Sequence, residues 1–348
     1  MKSGTSRPGA IGEQLMNHLN TPRVSIVVTT YNRVDLLCQA VDSALDQDFP
    51  ESQREIILID DGSTDGTREF VESRYGDRIR YVHKSNGGFV SACALGFSMA
   101  RGEIIAQLDS DDTWSRDKLS KTVPKFDEAA DVVAVFHDLD IVKADGRTAS
   151  ETLWTGSHAR LGEAPCDALG PYLAGYPLPS WTSASLWRRS ALELILPMPE
   201  GLEGYVDAYC ARHIIFFGRV CAIPQSLGTY LVHANNDSGK GGGHRDLKRI
   251  ERTIRERRVM SDAFGRRCAQ FGVEPSLRRV MIQKLSLAEG YVERALLTGR
   301  SAAARWILKN ELALPSLVQL HLFAQLWLPG RLAAFLKNRV IGRFVPLN

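Results

Sequence analysis

Three carboxylates fall within the four residues Asp109-Ser110-Asp111-Asp112. Carboxylates this close repel one another unless a proton or a cation lies between them. Hard divalent ions such as Mg2+ and Mn2+ take carboxylate, water and phosphate oxygens as ligands. A diphosphate that must depart as an anion needs such a bridge. Alone, the cluster reads equally as a solvated acidic turn ahead of Trp114. A second segment, residues 59–65, reads Ile-Asp-Asp-Gly-Ser-Thr-Asp. There Asp60 closes an apolar run and is placed to accept a nucleobase N–H, while Ser63 has the character of a helix N-cap. A third, Thr29-Thr30-Tyr31-Asn32, offers a Tyr31 ring that either stacks on a base or packs.

Regular elements must carry these groups. Residues 24–28, Val-Ser-Ile-Val-Val, form a short β-branched run that predicts a buried strand. Asn32, followed by Asp35, resembles an N-cap with an acid in the first turn, and Leu37, Val41, Ala44 and Leu45 recur at helical spacing. Further strands are expected at 55–59, 79–82 and 104–108, with a helix after Asp65 and another over 90–100 behind the Asn86-Gly87-Gly88 turn. Such alternation predicts a parallel sheet with helices on both faces. Ligands bind such sheets at the carboxyl ends of the strands, where Thr29, Asp60 and Asp109 all fall.

The remainder bounds the class. With 348 residues, 44% hydrophobic and 24% charged, the chain has the composition of a globular protein with a sizeable core. Residues 1–21 read as a flexible tail without an apolar signal segment. Residues 22–240 read as one α/β domain, with a first half at 22–119 and a second at 120–240 of short strands and Gly/Pro-rich loops. Gly239-Lys240-Gly241-Gly242-Gly243 then leads into a basic helical region, 245–348. From residue 245 onward, 20 Lys/Arg face 8 Asp/Glu, so the first 244 residues carry −9 of the net +3. Such a tail suits an anionic membrane surface, each basic residue adding about 1 kcal/mol there; a helical bundle or an oligomer interface is the alternative. Nucleic acid is not expected, since the front half is acidic and no reader motif occurs. The six cysteines are scattered, with no C-x-x-C pair, and read as reduced core residues of a cytoplasmic protein. The most apolar stretch, 313–328, is interrupted by Pro315, Gln319, His321 and Gln325, so no membrane span is expected.

Order and spacing are more specific than any one motif. Val-Ser-Ile-Val-Val-Thr-Thr-Tyr-Asn, then Ile-Asp-Asp-Gly-Ser-Thr-Asp, then Asn-Gly-Gly, then Leu-Asp-Ser-Asp-Asp resemble the family 2 glycosyltransferases over residues 24–119. The resemblance implies a GT-A fold and an inverting transfer. It implies nucleotide contacts at Thr29, Tyr31, Asp60, Asp109 and Asp111, and Mg2+ or Mn2+ held through Asp111 and Asp112. Further on, Trp181 lies in a segment similar to the family's acceptor side, where its ring stacks on a sugar or packs. Asp207 matches the general base of inverting members, with Glu203 as competitor. His233 matches a closing Tyr-x-x-His motif whose His reaches the metal or diphosphate. The sequence departs from the family at Cys93, where an Arg is usual, and at Val206, where an acid usually precedes the base.

The expectation is a sugar transferred from a nucleotide-sugar, UDP- or dTDP-linked, to a hydroxyl of a glycan or lipid-linked saccharide in polysaccharide biosynthesis. The protein would be cytoplasmic, with a peripheral site on the inner face of the plasma membrane if the basic tail binds lipid. A sugar-nucleotide pyrophosphorylase is the enzymatic rival, although its glycine-rich first loop is missing here. A catalytically degenerate scaffold, suggested by Cys93 and Val206, is the non-enzymatic one.

Overall fold

A computed structural model describes residues 21–152, 161–233, 236, 247–276, 279, 280 and 283. The tail at 1–20, the Gly-rich stretch and the basic region past 283, including 313–328, lie outside the described residues.

In chain order the elements are β1 (Val24–Thr30), α1 (Val34–Leu45), β2 (Arg54–Asp60), α2 (Thr67–Tyr75), β3 (Arg80–His83), α3 (Phe89–Met99), β4 (Ile104–Asp109), β5 (Thr113–Trp114), α4 (Lys118–Thr122), β6 (Val132–Lys143), β7 (Thr148–Thr152), α5 (Leu169–Leu173), β8 (Ser185–Arg188), α6 (Arg189–Glu193), α7 (Val206–Ile214), β9 (Arg219–Val232) and α8 (Leu247–Phe271). One sheet runs β3-β2-β1-β4-β8-β6-β9-β5, with β7 added beside β6. Strands β3, β2, β1 and β4 are parallel, as the alternating pattern requires. Strand β8 is antiparallel to β4 and to β6, so the sheet is mixed. Where the sequence suggested only short strands, β6 and β9 are the longest, at 12 and 14 residues. They pair in parallel through three register shifts, and these interruptions hide their length from a periodicity argument.

Strands β1, β2 and β4 are buried on both faces, and their residues alternate between two cores. Ile26, Val28, Ile56, Leu58 and Leu108 join Leu37, Val41 and Ala44 of α1. Val27, Ile57, Ile59 and Ile105 join Ala92, Cys93 and Phe97 of α3 and the inner face of α7. Helix α3 lies close on the sheet because residue 96 is glycine: a Cβ there would stand 2.4 Å from a Val27 methyl. Helix α8 is amphipathic. Its Ile250, Ile254, Met260, Phe264 and Cys268 are buried, and Phe264 meets Tyr172 and Phe216 edge-on at 5.2 and 5.8 Å. No helix among the described residues is long and apolar enough to cross a membrane.

Two capping expectations are corrected. Asn32 does not cap α1: it has φ +49°, and Arg33 occupies the cap position. Ser63 does not cap α2, whose cap is Gly66. Asp65 serves both helices instead, accepting Val34 N at 3.0 Å with one oxygen and Thr67 N at 3.2 Å with the other. The Asn32 carboxamide oxygen accepts Thr64 N at 2.8 Å and Asn32 N donates to Ser63 Oγ at 2.8 Å, so these side chains stitch the loops after β1 and β2 together.

Candidate active site

Strand register brings the separated motifs into one row. Thr30 stands opposite Asp60, Asp60 opposite His83, and Thr29 opposite Asp109. All lie at the carboxyl ends of adjacent parallel strands, where peptide dipoles and loops converge on a crevice.

At one end of the row Tyr31 is 49% exposed, a ring left facing outward. Asp60 is wholly buried. Its carboxylate accepts Ser63 N at 2.8 Å and the Tyr81 hydroxyl at 2.6 Å, with His83 Nδ1 at 3.3 Å. Burial opposes ionisation, but these donors outweigh it and hold Asp60 below the usual carboxylate range. The next acid, Asp61, makes a separate latch, accepting Gly87 N at 3.0 Å, Gly88 N at 2.7 Å and Lys84 Nζ at 2.5 Å. It therefore fixes the Asn-Gly-Gly turn where α3 begins.

The acidic cluster forms the centre. One oxygen from each of Asp109, Asp111 and Asp112 lies within 4.8 Å of the others. Burial first, then the neighbouring acids, pushes Asp109 well above the ordinary range and Asp112 up to about 8. Asp112 is held by the Ser183 hydroxyl at 2.6 Å and by Leu231 N at 3.1 Å. Asp111 meets Arg33 at 2.7 Å and His233 Nε2 at 2.8 Å, with the Asn236 amide at 3.5 Å. Mutually repelling oxygens, buried at Asp112 and half-buried at Asp109 and Asp111, beside an imidazole are a donor set that fits a hard divalent cation.

Ser183 organises this centre from below. Asp109 N donates to its hydroxyl at 3.1 Å, while its carbonyl accepts Trp114 Nε1 at 2.9 Å and Lys118 Nζ at 2.8 Å. Lys118 is fully buried, its ammonium 3.3 Å from the Trp114 ring centroid, and burial pushes its pKa well down. Nothing local in the sequence marks Ser183, Arg33, Asp61 or Lys118 for these roles. Only their contacts across the fold distinguish them from surface polar residues.

Asp207 lies in the first turn of α7 and accepts Ala208 N at 2.7 Å. Burial pushes it up to about 6, and its charge is among those that raise Asp109. Asp207 also takes a backbone hydrogen bond from Thr182, and the adjacent Ser183 bonds Asp112, so one short segment links the two acids. Glu203 is directed instead to α8, bound to Arg255 at 2.9 Å. Val206 is fully buried in the core. Cys93, also buried, receives a 3.8 Å contact from Gln107 Nε2, whose carbonyl oxygen accepts Trp187 Nε1. A thiol there fills the core side of α3. Trp181 packs edge-on against Tyr230, centroids 5.5 Å apart.

Comparison with known proteins agrees with this arrangement. The model for "Glycosyl transferase family 2" matches residues 25–168. The succinoglycan biosynthesis protein ExoO of Rhizobium meliloti is 31% identical over 229 residues, 62% of this chain and 62% of that one. The chain spans between 13% and 66% of the length of the curated relatives it matches. Among solved structures, S. aureus TarS 1–349 in complex with UDP superposes with TM-score 0.56 at 18% identity, covering 92% of this chain and 89% of that one. The mannosyltransferase PcManGT from Pyrobaculum calidifontis, in complex with GDP-Man and Mn2+, gives 0.53 at 21% identity, covering 91% and 87%.

Proposed function

The chain belongs to glycosyl transferase family 2 and has the GT-A fold, and from that premise we propose an inverting transfer of a sugar from a nucleotide-sugar to an acceptor hydroxyl. Tyr31 stacks on the base. Thr29 and Asp109 meet the nucleoside, and Asp60 shapes the base pocket through Tyr81 and His83. Asp111 and Asp112, with His233, would hold Mg2+ or Mn2+. Such an ion would supply charge neutralisation for a departing nucleoside diphosphate. Trp181 offers a face to the acceptor sugar. Asp207 takes the proton of the acceptor hydroxyl as that oxygen attacks the anomeric carbon; the bond from that carbon to the diphosphate breaks with inversion.

The observation that carries this reading is the link from Asp207 through Thr182 and Ser183 to the acidic cluster. A carboxylate at about 6 is poised as a base near neutral pH. A UDP- or dTDP-linked donor is favoured, supported by the UDP bound in TarS. A glycan or lipid-linked saccharide in polysaccharide biosynthesis is the acceptor, supported by the name of the succinoglycan relative. We place the reaction at the cytoplasmic face of the membrane, reached through the basic C-terminal region.

Thermal shift across a panel of nucleotide-sugars, with and without Mn2+, tests the donor; Asp207→Asn tests the base. Stabilisation by UDP-sugars only with the ion, and loss of transfer in Asp207→Asn with nucleotide binding kept, are expected. Full transfer by that variant defeats the assignment. The scaffold reading has specific support in Val206 and Cys93, which the fold uses as core; turnover of any nucleotide-sugar ends it.

A further inference from the structure

Among the described residues, two that are not glycine have φ in the left-handed region, Asn32 at +49° and Tyr205 at +53°. Asn32 follows Tyr31 and Tyr205 lies two residues before Asp207, and strain of this kind concentrates at functional sites. Asn32 is held by the loop contacts described above. Tyr205 has a bulkier side chain, and this conformation costs about 1–2 kcal/mol. Its ring is 45% exposed, so core packing of the ring does not repay that cost.

The restraint comes from α8, which lies beyond the residues matched by the family model. Glu256 of that helix is 2% exposed. Its Oε1 accepts Glu203 N at 2.9 Å and also Gly204 N. On the outer side Arg255 binds the Glu203 carboxylate. Tyr205 O then accepts Tyr209 N at 2.9 Å to open α7, Val206 enters the core, and Asp207 follows. The start of α7 is pinned on two sides, by Val206 in the core and by Glu256 under the turn. Burying a carboxylate costs several kcal/mol unless it is well bonded, so Glu256 repays its place by ordering these amides.

We infer that Glu256 is a positioning residue for Asp207: it holds the strained 203–205 turn so that α7 starts with the Asp207 carboxylate in the cleft. This rests on the reading of Asp207 as base. A misplacement of about 1 Å at a reacting group lowers turnover up to about 100-fold.

The test uses the full chain with Glu256→Ala, Glu256→Asp and Glu256→Gln, and Asp207→Asn as reference. Turnover, UDP affinity in Mn2+ by calorimetry, and amide hydrogen exchange at residues 203–205 are measured. Glu256→Ala and, if it does not fold, the shortened Glu256→Asp should lower kcat about 10- to 100-fold. UDP affinity should stay within about twofold while the Glu203 and Gly204 amides exchange faster. Glu256→Gln, which keeps an oxygen acceptor, should restore most of the turnover. The inference is overturned if those amides lose protection with kcat unchanged, or if kcat and UDP affinity fall together with the folded fraction. An active Asp207→Asn defeats the base reading itself. An inactive Asp207→Asn beside fully active Glu256 variants defeats only the positioning role.

Discussion

The Ser183 hydroxyl donates to Asp112 at 2.6 Å while accepting Asp109 N at 3.1 Å, so one side chain ties the two ends of the acidic motif together. Neither contact is local: Ser183 is 71 residues from Asp112 in the chain. Ser183→Ala leaves a buried carboxylate oxygen and a strand-end amide without this partner, a loss of about 1–3 kcal/mol. We expect UDP affinity in Mn2+ to weaken by about 10-fold, with circular dichroism unchanged. Calorimetry showing wild-type affinity would remove Ser183 from the donor site.

The Asp61 latch on the Asn-Gly-Gly turn is a stability device first. Asp61→Ala strands Gly87 N and Gly88 N at the start of α3, each formerly bonded within 3.0 Å. Denaturant unfolding should show a loss of about 2–3 kcal/mol. An unchanged midpoint would mean that the turn finds other partners.

Asp207 links activity and stability to pH in opposite directions. Its folded pKa, about 6, is above the ordinary aspartate value, so the fold favours the protonated form. The associated stability is complete below about pH 4 and is lost as pH rises through about 6, amounting to about 3 kcal/mol. Base catalysis needs the ionised form, so kcat/KM should rise through pH 6. Asp207→Asn should abolish transfer and melt higher than wild type at pH 7.5, with the gap closing toward pH 4. A gap in melting temperature independent of pH would contradict the burial of this acid.

The ion should stabilise the fold through the acidic cluster. Ligand at about 100 times its Kd adds about 2.7 kcal/mol. Mn2+ with UDP should therefore raise the melting temperature by several degrees, and EDTA should reverse the shift. Asp111→Ala should flatten that response without lowering the ligand-free melting temperature, since it relieves repulsion with Asp109 and Asp112. An undiminished shift in that variant would place the ion elsewhere.

Much of the site was legible in the sequence because strand-end motifs are local. Apolar β-branched runs form strands wherever they pair, and each parallel strand ends where its polar turn begins. Thr29, Asp60 and Asp109 therefore fall at one edge from the strand pattern alone, and the order of motifs marks the family. The tertiary structure decided what those residues touch. Asp60 proved buried under Tyr81 and His83, Asp65 took the capping role assigned to Asn32 and Ser63, and Glu203 turned to Arg255. Ser183, Lys118 and Glu256 act through partners 52 to 74 residues away. Periodicity carries no information at that range, because hydrogen bonds across a fold depend on packing rather than on neighbours in the chain.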